Sequence, residues 1–251
     1  IMSENFLEAE ILIHVSYGLH DRDGHYTKFV GTSMTSIFEN TREEITVHIL
    51  HDNTLTPDNR DKLNYVTGKY NQKIKFCNVA QLMPDRLKLL AEKIPEITKG
   101  RFSIGTFYRL LMTELLPKHE IRRVIYLDAD ILVNLDIAEL WQQDLQNYPL
   151  AAVPEIEATS NHMLKDKFLL NAGIVRVEDY FNAGVILFNL DKFDENFFRD
   201  GAQFLSNNPQ CKSLDQDILN AFFAKNYLKL AQKFNAFVDT EELPAAQKIY
   251  H

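Results

Sequence analysis

The chain has 251 residues, 45% of them hydrophobic, which is enough to bury the core of one large domain or of two closely packed halves. Its formal net charge is -8 and its basic residues are scattered, which argues against a nucleic acid as partner. The two cysteines, Cys77 and Cys211, lack the neighbours for a disulfide framework or a zinc site, so we expect a reducing, cytoplasmic location. The first residues lack the bases of a signal peptide, and no apolar run approaches the roughly 18 residues of a membrane span.

Short β-branched runs alternate with helical patterns along the first half of the chain. The pattern predicts strands at 10–17, 44–50, 73–79 and 122–127, helices at 26–41 and 56–70, and a proline-interrupted helical stretch that ends at Pro117. Strands that alternate with helices indicate an α/β fold with a mainly parallel sheet that is covered on both faces. Ligands of such sheets bind beyond the carboxyl ends of the strands.

Two aspartates interrupt the apolar run RRVIYLDADILVNL (122–135). Asp128 and Asp130 follow the predicted strand at its carboxyl end, and residues two apart in an extended segment point to the same side. Because burial of unpaired carboxylates is unfavourable, the pair favours a divalent cation such as Mg²⁺ or Mn²⁺. Such a cation keeps coordination positions open, and a diphosphate is the expected ligand for them. Aspartates with the same spacing also occur at 21–23 and 215–217, so the pattern alone does not single out one metal site.

Two later segments combine apolar residues with small or polar ones. In YFNAGVILFNLDKF (180–193), Asn182, Ala183 and Gly184 precede a buried strand predicted at 185–190. These small residues either let a ligand approach the backbone or form an ordinary turn into the strand. LDQDILNAFFAKN (214–226) begins a helix with an acidic first turn, and in many helices such acids serve only as caps and dipole partners.

Taken together, these segments resemble glycosyltransferase family 8, whose members have the Rossmann-like GT-A fold and transfer a sugar from a nucleotide sugar with retention of anomeric configuration. The resemblance covers nearly the whole chain, including the first strand and helix, ITVHILHDNTLTPDNR, SIGTFYRLLMTELLP, VIYLDADILV, YFNAGVILFNL and LDQDILN. It implies a single GT-A domain over 1–251, with a nucleotide-binding half at about 1–130 and a sugar- and acceptor-binding half at about 131–251.

The resemblance implies a Mn²⁺ site, with Mg²⁺ as the second choice, formed by Asp128, Asp130 and His251. Relatives carry this histidine in an H-x-x-G-x-x-K-P-W-like segment, whereas the sequence here stops at His251. We therefore expect a longer natural chain, with a C-terminal tail that allows peripheral association with the inner face of the membrane. Without the resemblance, a terminal histidine is typical of disordered surface.

The resemblance also implies a donor-binding set. Arg109 would reach the donor with a guanidinium that stays charged, although in isolation an ion pair on a helix surface is an equally good interpretation. Tyr26 would stack on uracil, although the helical pattern alone makes it a buried residue. The turn before Tyr26, SYGLHDRDGHY, is longer than in relatives. The implied catalytic residues are Gln216, Asp215 and Arg109, and the implied donor-binding residues are Ser16, Tyr26, Arg109, Asp128, Ala129, Asn182, Ala183, Gly184, Asp215 and Gln216.

The resemblance implies a hexosyltransferase that uses UDP-glucose or UDP-galactose and a saccharide or glycoconjugate acceptor. We expect the acceptor to attack on the face from which UDP leaves, with the Gln216 oxygen stabilising positive charge, because a neutral amide is a poor nucleophile. The acceptor would meet the segment 154–179, in which Glu155 is the predicted contact. A metal-dependent nucleotidyltransferase, a non-catalytic sugar-nucleotide-binding protein and a self-glycosylating enzyme stay open as alternatives.

Overall fold

The computed structural model describes residues 11–95, 103–155, 168–171, 173, 175–237 and 247–251. Its strands are β1 (Leu12–Leu19), β2 (Glu44–His51), β3 (Lys73–Asn78), β4 (Arg123–Leu127), β5 (Leu132–Asn134), β6 (Leu150–Pro154), β7 (Phe181–Asn189), β8 (Leu228–Lys229) and β9 (Lys248–Tyr250). Seven of these strands form one sheet in the order β3-β2-β1-β4-β7-β6-β8.

Neighbouring strands of this sheet are parallel except around β7. β1 pairs in parallel with β2 and β4, β2 with β3, and β6 with β8, whereas β7 runs antiparallel to β4 and β6. The predicted α/β fold with a mainly parallel sheet is confirmed. The strand order reverses direction between β1 and β4, so a crevice forms beyond their carboxyl ends, where open α/β sheets bind ligands. Because β7 is antiparallel, its amino end meets the carboxyl end of β4 at this crevice.

The helices cover both faces of the sheet. They are α1 (Thr27–Asn40), α2 (Pro57–Lys69), α3 (Val79–Leu82), α4 (Pro84–Lys93), α5 (Tyr108–Leu115), α6 (Ala138–Trp141), α7 (Phe168–Asn171), α8 (Phe197–Asn207) and α9 (Leu214–Phe223). One apolar cluster contains side chains of α5, α8 and α9, and a second cluster on the opposite face contains side chains of α1, α2 and α6. Local chemistry sets some boundaries, since α2 begins with Pro57 directly after Thr56, whose side chain accepts a hydrogen bond from the Asn59 amide.

A second, two-stranded sheet lies beside the crevice. β5 and β9 pair antiparallel, with Leu132 opposite Tyr250 and Asn134 opposite Lys248. β5 begins two residues after Asp130, and β9 ends one residue before His251. This pairing therefore brings a histidine from the end of the sequence next to aspartates from its middle.

Two strand boundaries differ from the prediction in ways that affect the site. β1 continues through Gly18 to Leu19, because Gly18 lets the strand pack closely against the turn at Gly105, whose carbonyl oxygen would lie 2.8 Å from an added Cβ. β7 begins at Phe181, so Asn182, Ala183 and Gly184 belong to the strand itself and do not form a turn before it.

Three further expectations relate to this fold. The division into halves near residue 130 stays a prediction, and β4 and β7, from either side of it, pair in the same sheet. Most of the predicted acceptor segment 154–179 lies outside the described residues, although Glu155 is described. A helix of the length and apolarity needed to cross the bilayer does not occur in the described part of the chain.

Candidate active site

The crevice begins where β4 ends and β7 begins. The backbone N–H of Asp128, the first residue after β4, donates to the Gly184 carbonyl oxygen at 2.8 Å. The sequence motifs D-A-D and N-A-G therefore lie side by side, joined by the antiparallel pairing of Leu127 with Val185. Ala129, between the two aspartates, is buried.

Asp128, Asp130 and His251 form a cluster suited to a metal ion. One ligand atom from each residue lies within 4.8 Å of the others, and the histidine presents Nε2 at 4.0 Å from Asp128 Oδ2 and 3.9 Å from Asp130 Oδ1. The Asp130 side chain is 60% exposed, so the cluster opens to the crevice. Two carboxylates suit Mg²⁺ and Mn²⁺, and an imidazole beside them favours Mn²⁺ over Mg²⁺, which prefers oxygen ligands.

His251 is firmly held in this cluster. Its backbone N–H donates to the Ala236 carbonyl oxygen at 3.0 Å, and its ring stacks on Phe237 with the ring centroids 5.3 Å apart. The pairing of β9 with β5 fixes the residues before it. The alternative of a disordered surface histidine is therefore wrong, because the long-range strand pairing anchors the residue.

Arg109 lies behind the metal cluster. It is 5% exposed, and its guanidinium reaches Asp128 Oδ1 at 2.6 Å, Asp215 Oδ2 at 2.9 Å and the Ala183 carbonyl oxygen at 2.5 Å. The guanidinium carbon also sits 4.4 Å from the ring centroid of Tyr126. The alternative of a helix-surface ion pair is wrong, because the first turn of α5 packs into the crevice floor and buries this side chain.

The buried charges shift one another's protonation. Burial raises the pKa of the Asp215 carboxyl to about 6, although the Arg109 cation works in the opposite direction. Burial disfavours the Arg109 cation, but the carboxylates of Asp128 and Asp215 outweigh it and raise the pKa of the guanidinium. Arg109 thus stays charged and links the metal cluster to the start of α9.

Gln216 is fixed on three sides. Its Oε1 accepts from the Ala183 N–H at 2.9 Å, and its Nε2 donates to the Tyr180 hydroxyl at 3.0 Å and to Glu155 Oε1 at 3.3 Å. The Tyr180 hydroxyl in turn donates to Asp217 Oδ1 at 2.7 Å. The acidic first turn of α9 therefore does more than cap a helix, since it orients an amide against the N-A-G segment.

Glu155 follows β6 and joins the same group. It is 9% exposed, and Asn182 Nδ2 lies at 3.5 Å from its Oε1. Its second oxygen, Oε2, is buried and has no hydrogen-bond partner among the described residues. A buried carboxylate oxygen without a partner is unfavourable, so this atom is a candidate contact for a polar group of a ligand.

The predicted donor-binding residues Tyr26 and Ser16 differ in their exposure. Tyr26 lies at the start of α1, is 43% exposed, and has its ring centroid 5.8 Å from that of Phe29. Partial burial, and then the charges of Asp130 and Asp128, raise the pKa of its phenol to about 12. Because Tyr26 is 43% exposed, the alternative of a buried helix residue is wrong. Ser16 is fully buried within β1, which extends to Leu19, and its role in donor binding stays a prediction.

Sequence reasoning missed a polar network at the carboxyl ends of β1 and β2. Asp52 Oδ2 accepts from His20 Nδ1 at 2.5 Å and from the Tyr108 hydroxyl at 2.6 Å. Burial acts to raise the pKa of Asp52, but the hydrogen bonds from its partners outweigh it and lower the pKa. Asp21 Oδ1 accepts from the Tyr26 N–H at 2.6 Å and fixes the start of α1. The missed signal was position, since each aspartate comes directly or almost directly after a strand.

Comparisons with known proteins identify the family of the chain. The model of the family "Glycosyl transferase family 8" matches residues 15–249. General stress protein A of Bacillus subtilis is 29% identical, over 85% of this chain and 71% of its own length. Lipopolysaccharide 1,2-glucosyltransferase of Escherichia coli is 27% identical, over 89% of this chain and 62% of its own length.

Among solved structures, the galactosyltransferase LgtC in complex with donor and acceptor sugar analogs has a TM-score of 0.74, over 95% of this chain and 86% of that chain, at 22% identity. This likeness shows a shared GT-A fold. Since the family model covers nearly the whole chain, the chain belongs to glycosyltransferase family 8, as its motifs predicted.

Proposed function

We propose that this protein is a retaining hexosyltransferase that moves glucose or galactose from a UDP-sugar to a saccharide or glycoconjugate, with Mn²⁺ as its cofactor. The observation that carries the proposal is the cluster of Asp128, Asp130 and His251 at the carboxyl end of β4, with the buried Arg109 behind it. In a family 8 chain, this cluster is where the diphosphate of a nucleotide sugar is expected.

The residues of the crevice divide the work of binding the donor. A divalent cation at the cluster would neutralise the negative charge that develops on the departing UDP. Arg109 holds Asp128 through Oδ1 and leaves its other oxygen, Oδ2, directed to His251, where it would be available to a cation. Tyr26, exposed at the rim of the crevice, is the proposed stacking surface for the uracil base.

Retention is best explained by attack of the acceptor on the face from which UDP leaves. Gln216 is a neutral amide whose oxygen already accepts from the Ala183 N–H, so it is a poor nucleophile but a well-oriented dipole. Asp215 Oδ2 is paired with Arg109 at 2.9 Å, which lowers its availability for attack on the sugar. We assign Gln216 to stabilising positive charge on the sugar, and Asp215 to its hydroxyl groups.

The acceptor is proposed to enter beside Glu155. The unpartnered Oε2 of this residue is an acceptor for a sugar hydroxyl, and Glu155 contacts both Gln216 and Asn182. The similarity to a lipopolysaccharide glucosyltransferase supports a lipopolysaccharide-type saccharide as the acceptor. The free thiols of Cys77 and Cys211 support a cytoplasmic site of action.

The decisive experiment is a screen of UDP-sugars with Mn²⁺, in which released UDP is measured with and without saccharide acceptors. We expect UDP release from UDP-glucose or UDP-galactose, removal of that activity by EDTA, and its loss in Asp130→Asn. Release of the sugar 1-phosphate, with UMP transferred to an acceptor, would identify a nucleotidyltransferase instead. Binding of UDP-sugars without release of any product, with every acceptor tried, would favour a non-catalytic binding protein, and hexose added to the protein itself would indicate self-glycosylation.

A further inference from the structure

A buried asparagine lies between the metal cluster and the sugar-binding segment. Asn235 is fully buried, and its Nδ2 donates to Asn182 Oδ1 at 2.8 Å. The same Asn182 oxygen accepts from the Gly184 N–H at 2.8 Å. Asn235 is thereby fastened to the N-A-G segment at the start of β7.

The residue after Asn235, Ala236, is hydrogen-bonded to β9 and to the metal-ligand candidate His251. The Ala236 N–H donates to the Ile249 carbonyl oxygen at 2.7 Å, and its own carbonyl oxygen accepts from the His251 N–H at 3.0 Å. Residues 235 and 236 therefore connect the two parts of the site. The Asn235 side chain binds the N-A-G segment, and the Ala236 backbone binds His251. Neither hydrogen bond is predictable from a sequence motif, because both depend on where β9 lies.

The imidazole of His251 lies at this same junction. A Cβ placed on Gly184 would lie 2.7 Å from His251 Nδ1 and 3.0 Å from Asn182 Oδ1. That Asn182 oxygen is the atom that accepts the hydrogen bond from Asn235. Two buried polar atoms at the junction have no hydrogen-bond partner within the described chain, and they are His251 Nδ1 and Asn235 Oδ1. One is a potential donor and the other an acceptor, and leaving each unpaired costs about 1–3 kcal/mol.

We propose that Asn235 is a positioning residue for the metal ligand His251, with Asn235 Oδ1 accepting the Nδ1–H of the imidazole when Nε2 binds the cation. A histidine that binds a metal through one nitrogen typically donates its other N–H to such an acceptor, which fixes the tautomer and the ring. The ligand atoms are spread over as much as 4.8 Å, so a bound cation would draw the side chains together and shift the imidazole ring. Through Asn182, the same asparagine sets the sugar-binding segment relative to the metal site.

The inference rests on the proposed function, because it needs a cation between Asp128, Asp130 and His251. It is tested by calorimetric titration of Mn²⁺ into protein that is saturated with UDP. Asn235→Ala and Asn235→Leu are compared with the parent, and the leucine variant keeps the side-chain volume so that a cavity does not decide the result. We expect both to bind Mn²⁺ about 10- to 100-fold more weakly, the range found for residues that support metal ligands.

The same substitutions are then made in a His251→Ala background, in which Asp128, Asp130 and the UDP phosphates still bind Mn²⁺. If Asn235 acts through the imidazole, its replacement there changes Mn²⁺ affinity less than about threefold. Asn208→Ala is the matched control, because Asn208 Nδ2 makes a hydrogen bond to the Phe204 carbonyl oxygen at the end of α8, away from the crevice. It should leave Mn²⁺ affinity unchanged.

Two results would overturn the inference while leaving the proposed function intact. One is parent-like Mn²⁺ affinity in both Asn235 variants, and the other is an equal loss in the parent and His251→Ala backgrounds, which would indicate a general structural role. Failure of the parent to bind Mn²⁺ in the presence of UDP would instead refute the metal site itself, and this inference with it.

Discussion

Replacing Gly184 by alanine should displace the third metal ligand. The added Cβ would lie 2.4 Å from His251 Cε1 and 2.7 Å from His251 Nδ1, whereas carbon atoms in favourable contact lie about 3.5–4.0 Å apart. β7 cannot easily yield, because it pairs with both β4 and β6 and its Gly184 carbonyl oxygen accepts from Asp128. The ring must therefore retreat by about 1 Å.

That retreat would weaken metal binding more than the fold. Overpacking of this kind costs roughly 1–3 kcal/mol, and if most of it falls on the metal-bound state, Mn²⁺ affinity drops about 10- to 100-fold. The measurement is calorimetric titration of Mn²⁺ in saturating UDP, with Gly68→Ala as control, since a Cβ on Gly68 meets nothing within 4 Å. In a His251→Ala background, Gly184→Ala should have almost no effect. Parent-like Mn²⁺ affinity in Gly184→Ala would refute the proposal that the His251 imidazole packs against Gly184 when it binds the metal ion.

Three further predictions concern catalysis, buried charge and pH. Gln216→Ala should slow sugar transfer, and intact-mass measurement of the parent with donor should show no hexose on residue 216, whereas such an adduct would contradict same-face attack. Arg109→Met should lower the free energy of unfolding, measured in urea, by about 3–5 kcal/mol, because it leaves buried carboxylates without their partner. Adding Asp215→Asn should recover part of the loss, and strictly additive effects of the two substitutions would contradict the pairing. Burial, and then His14, lower the pKa of His48 to about 3, so His48 is neutral in the folded protein and takes up a proton on unfolding below its ordinary pKa of 6.5. The free energy of unfolding should therefore be highest above pH 6.5 and fall by about 2 kcal/mol by pH 5. His48→Gln should remove much of this pH dependence, whereas a substitution at the exposed His119 should not.

The sequence was informative where chemistry is contiguous in the chain. Asp128 and Asp130 follow a strand directly, so they could be placed at the carboxyl edge of a parallel sheet. The N-A-G and D-Q-D motifs could be placed only before a strand and at the start of a helix. The parallel sheet itself followed from the alternation of strands and helices. The family resemblance added Arg109 and His251, which no local pattern could place.

What could not be predicted depends on contacts between distant segments. The burial of Arg109 requires β4, β7 and α9 to converge on the first turn of α5, and the anchoring of His251 requires β9 to pair with β5. Asn235 carries no motif, and its importance is visible only once Asn182 and Ala236 are seen on either side of it.

The charges of the crevice lead to a prediction whose sign depends on the cation. Arg109 pairs with both Asp128 and Asp215 and so offsets one of the three carboxylate charges of Asp128, Asp130 and Asp215, and the negative charges that remain are left for the cation to neutralise. Without a cation they repel a diphosphate, and at about 5 Å in a largely aqueous setting one unit charge contributes roughly 1 kcal/mol, or about fivefold in affinity.

Asp130→Asn removes one of these charges at a side chain that is 60% exposed, so the fold should be retained. With Mn²⁺ present, the variant should bind UDP more weakly than the parent by about 1–3 kcal/mol, because a cation ligand is lost. With EDTA present, it should bind UDP as well as the parent or up to about fivefold better, because a repulsive charge is lost. Calorimetry of UDP binding under the two conditions tests both directions with one variant, and Asp194→Asn, outside the crevice, is the control for a general change in net charge. Weaker binding of UDP to Asp130→Asn in EDTA would mean that Asp130 contacts the nucleotide directly, and that its role does not depend on a metal ion.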